Sequence, residues 1–309
     1  MLAFLLGCDK VLACTSARSV PDEKPIVGLQ VFYAADQRSW ALVDWLGVRW
    51  VRLELLWRLI EPQEGRYDWV AADKILEPAL RRNLGILVLL NHAPDWVKPD
   101  QLPQAFARFA ATVMDRYGTD VRPGGVRYWE IFNEPNLDGF GWQVVGADIA
   151  ANAKAYAAVL SAANEAVRVR HPQAVMVSAG LSPDGQSPEQ FLRALYVARI
   201  AACFDVLGLH PYGREGKLID TLKNARTLLK ALGDKDKPVW FTEYGTDRNA
   251  DRERLLVSGF AEAPALTALF WFNERDIHRF TDRYGLVDYD YAAKPETALF
   301  RQRLTGIAE

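Results

Sequence analysis

The sequence predicts an α/β fold, a single (β/α)₈ TIM barrel. Three observations predict it. The chain has 309 residues, enough for one such barrel, which takes about 250. Short apolar runs alternate with longer amphipathic ones along almost all of it. Eight of the short runs are rich in Val, Ile, Leu and aromatics without strict polar alternation, as parallel strands buried on both faces require. An open doubly wound sheet would want a Gly-rich phosphate turn after an early strand, and the sequence has none.

In chain order, strands are expected at Ile26–Phe32, Val48–Leu53, Gly85–Leu90, Val126–Phe132, Ala174–Ala179, Val206–Leu209, Val239–Thr242 and Leu266–Phe272. Helical patterns fall between them, among others at Val70–Asn83, Gln104–Tyr117, Ile149–Arg170, Pro188–Ala201 and Lys217–Leu232. Ser187-Pro188-Glu189-Gln190 reads as a helix start: a capping hydroxyl, proline at the first helical position and Gln three residues after the cap. Gly233 reads as a helix stop. No repeat and no linker divides the chain.

Apolar residues make up 50% of the chain and charged residues 25%. These are ordinary globular proportions, so one large core can form without disulfides or metals. The net charge is −2 and no run of like charge stands out, which argues against a nucleic-acid partner, since that needs a basic face. Ten tryptophans suit a cleft that stacks on sugar rings, and they equally suit core filling.

Cys203 lies in an apolar, helical stretch and reads as a buried free thiol. No Cys/His spacing suggests a metal, and no cofactor is expected. Residues 1–22 read as a remnant export signal or lipoprotein-like leader, with the catalytic domain over 23–309. Leu5-Leu6-Gly7-Cys8 resembles a bacterial lipobox, and Val11-Leu12-Ala13-Cys14 is a second candidate. A basic region and a full-length apolar stretch do not precede either. The expectation is an exported monomer, periplasmic, lipid-anchored or secreted, with membrane attachment only through a lipidated cysteine. No segment reaches the roughly 18 apolar residues of a membrane span.

Two carboxylates stand out. The fourth strand runs into Trp129-Glu130-Ile131-Phe132-Asn133-Glu134-Pro135-Asn136, and the seventh into Trp240-Phe241-Thr242-Glu243-Tyr244-Gly245. In a (β/α)₈ barrel the residues after each strand form the mouth where ligands bind. Glu134 and Glu243 would meet there from opposite sides. Retaining glycosidases need such a pair about 5–5.5 Å apart, one as acid and one as nucleophile. The plainer reading is a pair of surface charges, but both follow apolar strands and are flanked by aromatics.

These segments resemble the signatures of glycoside hydrolase clan A. The resemblance runs from Ile26 to Leu304 and takes in several further segments. They are Arg52-Leu53-Glu54-Leu55-Leu56-Trp57, Glu61 through Trp69, Arg116-Tyr117-Gly118, Leu209-His210-Pro211-Tyr212, Trp271, Tyr284-Gly285-Leu286-Val287-Asp288, and Lys294-Pro295. The nearest likeness is to family 39 and relatives found with bacterial exopolysaccharide systems. Several family members carry an added β-sandwich for which these residues leave no room.

The resemblance implies a retaining hydrolase acting on a β-linked polysaccharide or oligosaccharide, with Glu134 as acid/base and Glu243 as nucleophile. Proximity of a second carboxylate would favour the protonated acid. Arg52 would hold Glu243 ionised, Tyr212 would donate to it, and His210 would bond nearby. Asn133 would bond the sugar 2-hydroxyl. Trp271 would form the floor under the reacting sugar. His92 and Trp96 would line adjoining subsites, and Trp142 would be a second stacking platform. For Trp271 and Trp142 the alternative is packing, for His92 a structural role and for Trp96 a lid. Glu54 and Glu130 are expected near the site in supporting roles, and Glu61 and Asp68 are expected to fix loop geometry.

A transglycosidase would use the same residues. A non-catalytic carbohydrate-binding barrel would have lost one of the two glutamates. A metal-dependent hydrolase would need His clusters at strand ends, and the four histidines at 92, 171, 210 and 278 do not supply them. Aromatics spread over several strand ends favour endo action.

Overall fold

The structure, a computed structural model, describes Cys14, residues 25–143 and residues 148–308. Apart from Cys14, the leader lies outside the described residues. Eight parallel strands follow in sequence: β1 (Ile26–Gln30), β2 (Trp50–Leu56), β3 (Gly85–Asn91), β4 (Tyr128–Ile131), β5 (Val175–Ser178), β6 (Leu207–Leu209), β7 (Val239–Tyr244) and β8 (Ala268–Trp271). Their order is β5-β4-β3-β2-β1-β8-β7-β6. Parallel bridges Val177–Val206 and Leu181–Leu209 join β5 to β6 and close the ring. The expected (β/α)₈ barrel is therefore the observed fold.

Helices connect the strands on the outside: α1 (Gln37–Leu46), the short α2 (Trp57–Ile60), α3 (Val70–Arg81), α4 (Leu102–Tyr117), α5 (Ile149–Arg170), α6 (Pro188–Val197), α7 (Glu215–Ala231), α8 (Asn249–Glu262) and α9 (Pro295–Ala308). Local chemistry sets their ends. Ser187 accepts from the amide of Gln190 at the start of α6, with Pro188 in the first position. Gly233, two residues beyond α7, takes φ 79°, a left-handed conformation that glycine adopts without a Cβ penalty. Asp148 caps α5 by accepting from the amide of Ala150.

Alternation along the strands divides the core in two. Ile26, Leu87, Tyr128, Val177, Trp240 and Phe270 fill the barrel interior. Leu29, Val51, Leu53, Trp129, Phe241 and Leu269 point outward and pack under the helices. The interior filling is apolar, and the polar inward residues follow it towards the C-terminal ends of the strands.

Cys203 is not a free thiol. It ends a 3₁₀ turn, Ala201–Cys203, shortly before β6, and it is disulfide-bonded to Cys14 across 189 residues of sequence. A buried thiol in an apolar stretch gives no local sign of its partner. The bond ties Cys14 to the end of the barrel where the strands begin.

This staple is expected to contribute about 2–4 kcal/mol. Urea unfolding should show a lower midpoint with reductant present. Cys203→Ser should start at that lower midpoint and not respond to reductant. Equal midpoints in all conditions would show that the bond does not contribute.

Candidate active site

The polar layer at the C-terminal end of the barrel is built around Arg52 of β2, which is fully buried. Its Nε donates to Glu130 Oε2 at 2.6 Å. Its Nη1 donates to Gln30 Oε1 at 2.8 Å and to Glu243 Oε1 at 2.5 Å. Its Nη2 donates to Asn133 Oδ1 at 3.0 Å. One planar guanidinium on β2 thus orients groups from β1, β4 and β7, as its fork of donors allows. Burial alone would lower the pKa of Arg52, but the facing charges of Glu130 and Glu243 outweigh it and push it up.

Local backbone irregularities aim the two glutamates. On β7 the register with β8 passes from Phe241–Leu269 to Tyr244–Trp271, which inserts one extra residue into β7. Strict alternation would turn Thr242 and Glu243 to opposite faces. The bulge lets both reach the barrel axis. At the end of β4, Phe132 and Glu134 have φ of 61° and 42°, a left-handed region that ordinary residues rarely occupy. Phe132 is thereby turned out to pack on Phe106 and Trp142, and Glu134 is turned over the mouth.

Glu134 and Glu243 are both nearly buried, at 5% and 7% exposure. One carboxylate oxygen from each and a ring nitrogen of His210 all lie within 4.8 Å of one another. His210 Nδ1 is 2.8 Å from Glu134 Oε1 and 3.6 Å from Glu243 Oε2. Its Nε2 is 3.0 Å from Thr242 Oγ1. Tyr212 donates its hydroxyl to Glu243 Oε2.

Burial would raise the pKa of Glu243. The charges of His210 and Arg52, with hydrogen bonds from Tyr212 and Arg52, outweigh it and hold Glu243 below the usual carboxylate range. Burial would likewise lower His210, but the charges of Glu243 and Glu134 raise it. Both oxygens of Glu243 already accept from Arg52 and Tyr212, with a cation alongside. The trio is arranged to hold and move protons, with no oxygen of Glu243 left unengaged for a metal ion.

Arg52, Asn133, Glu134, His210, Tyr212 and Glu243 therefore come together as the sequence placed them. His92 and Trp96 sit beside this centre, half-buried. His92 Nε2 is 3.7 Å from Glu54 Oε1. The indole of Trp96 donates to the carbonyl of Glu61 and packs edge-on against Trp57. Glu61 and Asp68 do shape their loops. Glu61 accepts from Trp57 and from the amide of Gly65, and Asp68 accepts from the amide of Val70 at the start of α3.

Two tryptophans need correction. Trp271 is fully buried and packs outside the barrel against Tyr244, donating to the carbonyl of Tyr284. Alternation explains it: Ala268 and Phe270 face inward, so Trp271 faces outward and cannot be a floor. The next residue, Phe272, takes the inner position and packs edge-on against Tyr212 and Tyr284. Trp142 is 4% exposed and wedged between Phe132 and Tyr156, with its indole donating to Asn152. It packs the core and offers no stacking face.

Sequence reasoning did not single out Gln30, Thr242, Phe272 or Tyr284. Gln30 carried a legible signal, a polar side chain closing an apolar strand. Counting alternation from Phe270 would have found Phe272. Asn273 and Glu274 are fully buried, and Glu274 accepts from the amides of Phe32 and Tyr33, tying β1 to the segment after β8.

A family model described as glycosyl hydrolase catalytic core matches residues 108–300. Solved structures with the same fold include a family 39 glycoside hydrolase from Bacteroides cellulosilyticus WH2, with TM-score 0.69 and 17% identity over 91% of this chain. The chain spans 63% of that relative's length. A monomeric β-xylosidase from Caulobacter crescentus CB15 aligns with TM-score 0.70 and 18% identity, over 93% of this chain and 69% of that one. A β-glucosidase from Thermotoga maritima, in complex with castanospermine, aligns with TM-score 0.67 and 15% identity, over 88% and 86%.

The lowered pKa of Glu243 has a definite sign. Its charge contributes stability that is complete above the ordinary glutamate value and is lost as pH falls through the folded-state value. A ¹³C titration of the glutamate carboxyls should find Glu243 titrating below the ordinary value of about 4.3. Tyr212→Phe removes one donor to the carboxylate, so the titration should move to higher pH. An unmoved titration would show that the phenol does not stabilise the charge.

Proposed function

The chain belongs to the glycosyl hydrolase catalytic core family, and on that premise we propose that it is a retaining β-glycosidase using Glu243 as nucleophile and Glu134 as acid/base. The observation that carries this reading is that an oxygen of Glu134 and an oxygen of Glu243 lie within 4.8 Å of each other. Retaining enzymes need about 5–5.5 Å between the two groups, whereas inverting enzymes leave about 6.5–9.5 Å for a water.

In the first step a carboxylate oxygen of Glu243 bonds to the anomeric carbon. The bond from that carbon to the leaving oxygen breaks, and the proton of Glu134 goes to that oxygen. In the second step water bonds to the same carbon and gives a proton to Glu134, and Glu243 departs as a carboxylate. Arg52 and Tyr212 orient Glu243 for attack and stabilise it when it leaves. Arg52 occupies Oδ1 of Asn133, which turns the amide donor of Asn133 toward a sugar hydroxyl. Phe272 provides an apolar wall beside Tyr212.

The substrate in this reading is a β-linked polysaccharide cut internally by a single chain. Phe32, just beyond β1, and Phe140, in the loop after β4, are 44% and 52% exposed. They stand three strands apart around the rim, and such faces can stack on successive sugars. One similar structure is of a monomeric enzyme, which supports a single-chain unit. The disulfide supports an exported protein, because such bonds persist in oxidising compartments. With Cys14 engaged, a lipid anchor falls to Cys8, which lies outside the described residues.

Reducing ends and product masses should be followed across β-glucans, xylans, mannans, galactans and bacterial exopolysaccharides. Oligosaccharide ladders absent with Glu243→Gln are expected, whereas single sugars would replace the endo reading by an exo one. Glu134→Gln should lose about 10²–10⁴-fold in rate on substrates with poor leaving groups. Azide should restore turnover of an activated aryl glycoside by Glu243→Ala, as the α-glycosyl azide. Full activity in either variant would reject its assigned role.

A further inference from the structure

The barrel interior holds a hydrogen-bonded chain that the two-carboxylate mechanism does not require. Glu130 lies beneath the catalytic pair and is fully buried. Its Oε2 accepts from Nε of Arg52. Its Oε1 accepts from the hydroxyl of Thr242 at 2.8 Å and from the amide of Gly180 at 3.1 Å. The single proton of Thr242 is therefore committed to Glu130. The 3.0 Å contact between Thr242 Oγ1 and His210 Nε2 can then only be a donation from His210. With Nε2 protonated, Nδ1 and Glu134 Oε1, 2.8 Å apart, need one further proton between them to hydrogen-bond.

We propose that Thr242 and Glu130 are positioning residues that fix the proton of His210 on Nε2, so that Nδ1 shares and retains the acid proton of Glu134. This rests on the acid role of Glu134. Were that proton lost with Nε2 still protonated, two lone pairs would face each other at hydrogen-bond distance. The arrangement therefore favours keeping a proton between Nδ1 and Glu134 Oε1. After Glu134 has protonated the leaving group, the same repulsion favours its taking a proton back from the attacking water. Glycine at 180 is what lets the ring sit there: a Cβ at that position would lie 2.0 Å from His210 Nε2.

The groups facing His210 are Glu134 and, through Thr242, Glu130 from β4; Glu243 and Thr242 from β7; Arg52 from β2; and Tyr212 beyond its own strand. From the β5 side it meets Gly180, which carries no titrating group. Within this set Thr242 can be changed without removing a charge.

The test is Thr242→Val, with Thr242→Ser as the conservative control. Loss of the hydroxyl removes the acceptor for Nε2 and frees the tautomer with the proton on Nδ1, which bonds well to ionised Glu134. The alkaline limb of kcat/KM, which reports loss of the acid's proton, should move to lower pH in Thr242→Val and return in Thr242→Ser. A rate loss with an unmoved limb would mean a purely structural role and would overturn the proposal. Independently of turnover, ¹⁵N spectra of histidine-labelled wild-type protein report the tautomer, with His210 assigned by its absence in His210→Asn. A protonated Nε2 is expected, and a bare Nε2 overturns the relay even if Thr242→Val does not fold. Failure to cleave any glycoside would instead reject the glycosidase reading, and the ¹⁵N result would still decide the tautomer.

Discussion

Arg52 is the constraint on which the site depends. A buried guanidinium is costly to desolvate, and it is tolerated only where charges and acceptors surround it. Here the surroundings are Glu130, Glu243, Gln30 and Asn133. Two of these are carboxylates equally costly to bury alone. Each group is stable in the barrel because the others are there, and together they leave little freedom in how Glu243 is presented. The catalytic orientation is in this sense a by-product of burying one charge among its partners.

The partnership also explains why Glu130 and Glu243 differ in use. Glu130 is fully enclosed, with both oxygens engaged by Arg52, Thr242 and Gly180. Glu243 lies one layer nearer solvent and keeps a small exposed surface. In the proposed mechanism the charge of Glu243 vanishes when it bonds to the sugar, and Glu130 is then the remaining counter-charge of Arg52. The cation is never left unpaired inside the barrel.

The fold separates two tasks along the barrel axis. The strand ends carry the polar layer, the aromatic rim and the left-handed turn at Glu134. The strand starts carry the Cys14–Cys203 bond. Between them the apolar interior, with Trp240 and Phe270, keeps water from reaching the buried ion pairs from below. A dry floor strengthens every electrostatic interaction above it.

The sequence by itself determined the barrel, its eight strands and the two glutamates, because parallel strands and strand-end carboxylates leave local patterns. Arg52, Asn133, His210 and Tyr212 were legible through the family resemblance that their segments carry. Which way a side chain points at a strand end was decided only by the tertiary structure. The bulge in β7 turned Thr242 and Glu243 to one side, and alternation in β8 turned Trp271 out and brought Phe272 in. Trp142 carries an aromatic signal that reads the same in a core as in a cleft, and only packing against Phe132 and Tyr156 resolved it. The partner of Cys203 was equally hidden, since a bond across 189 residues depends on where the folded chain returns. One-dimensional patterns specify periodicity and chemistry. The face a residue takes where that periodicity breaks depends on contacts from strands far away in sequence.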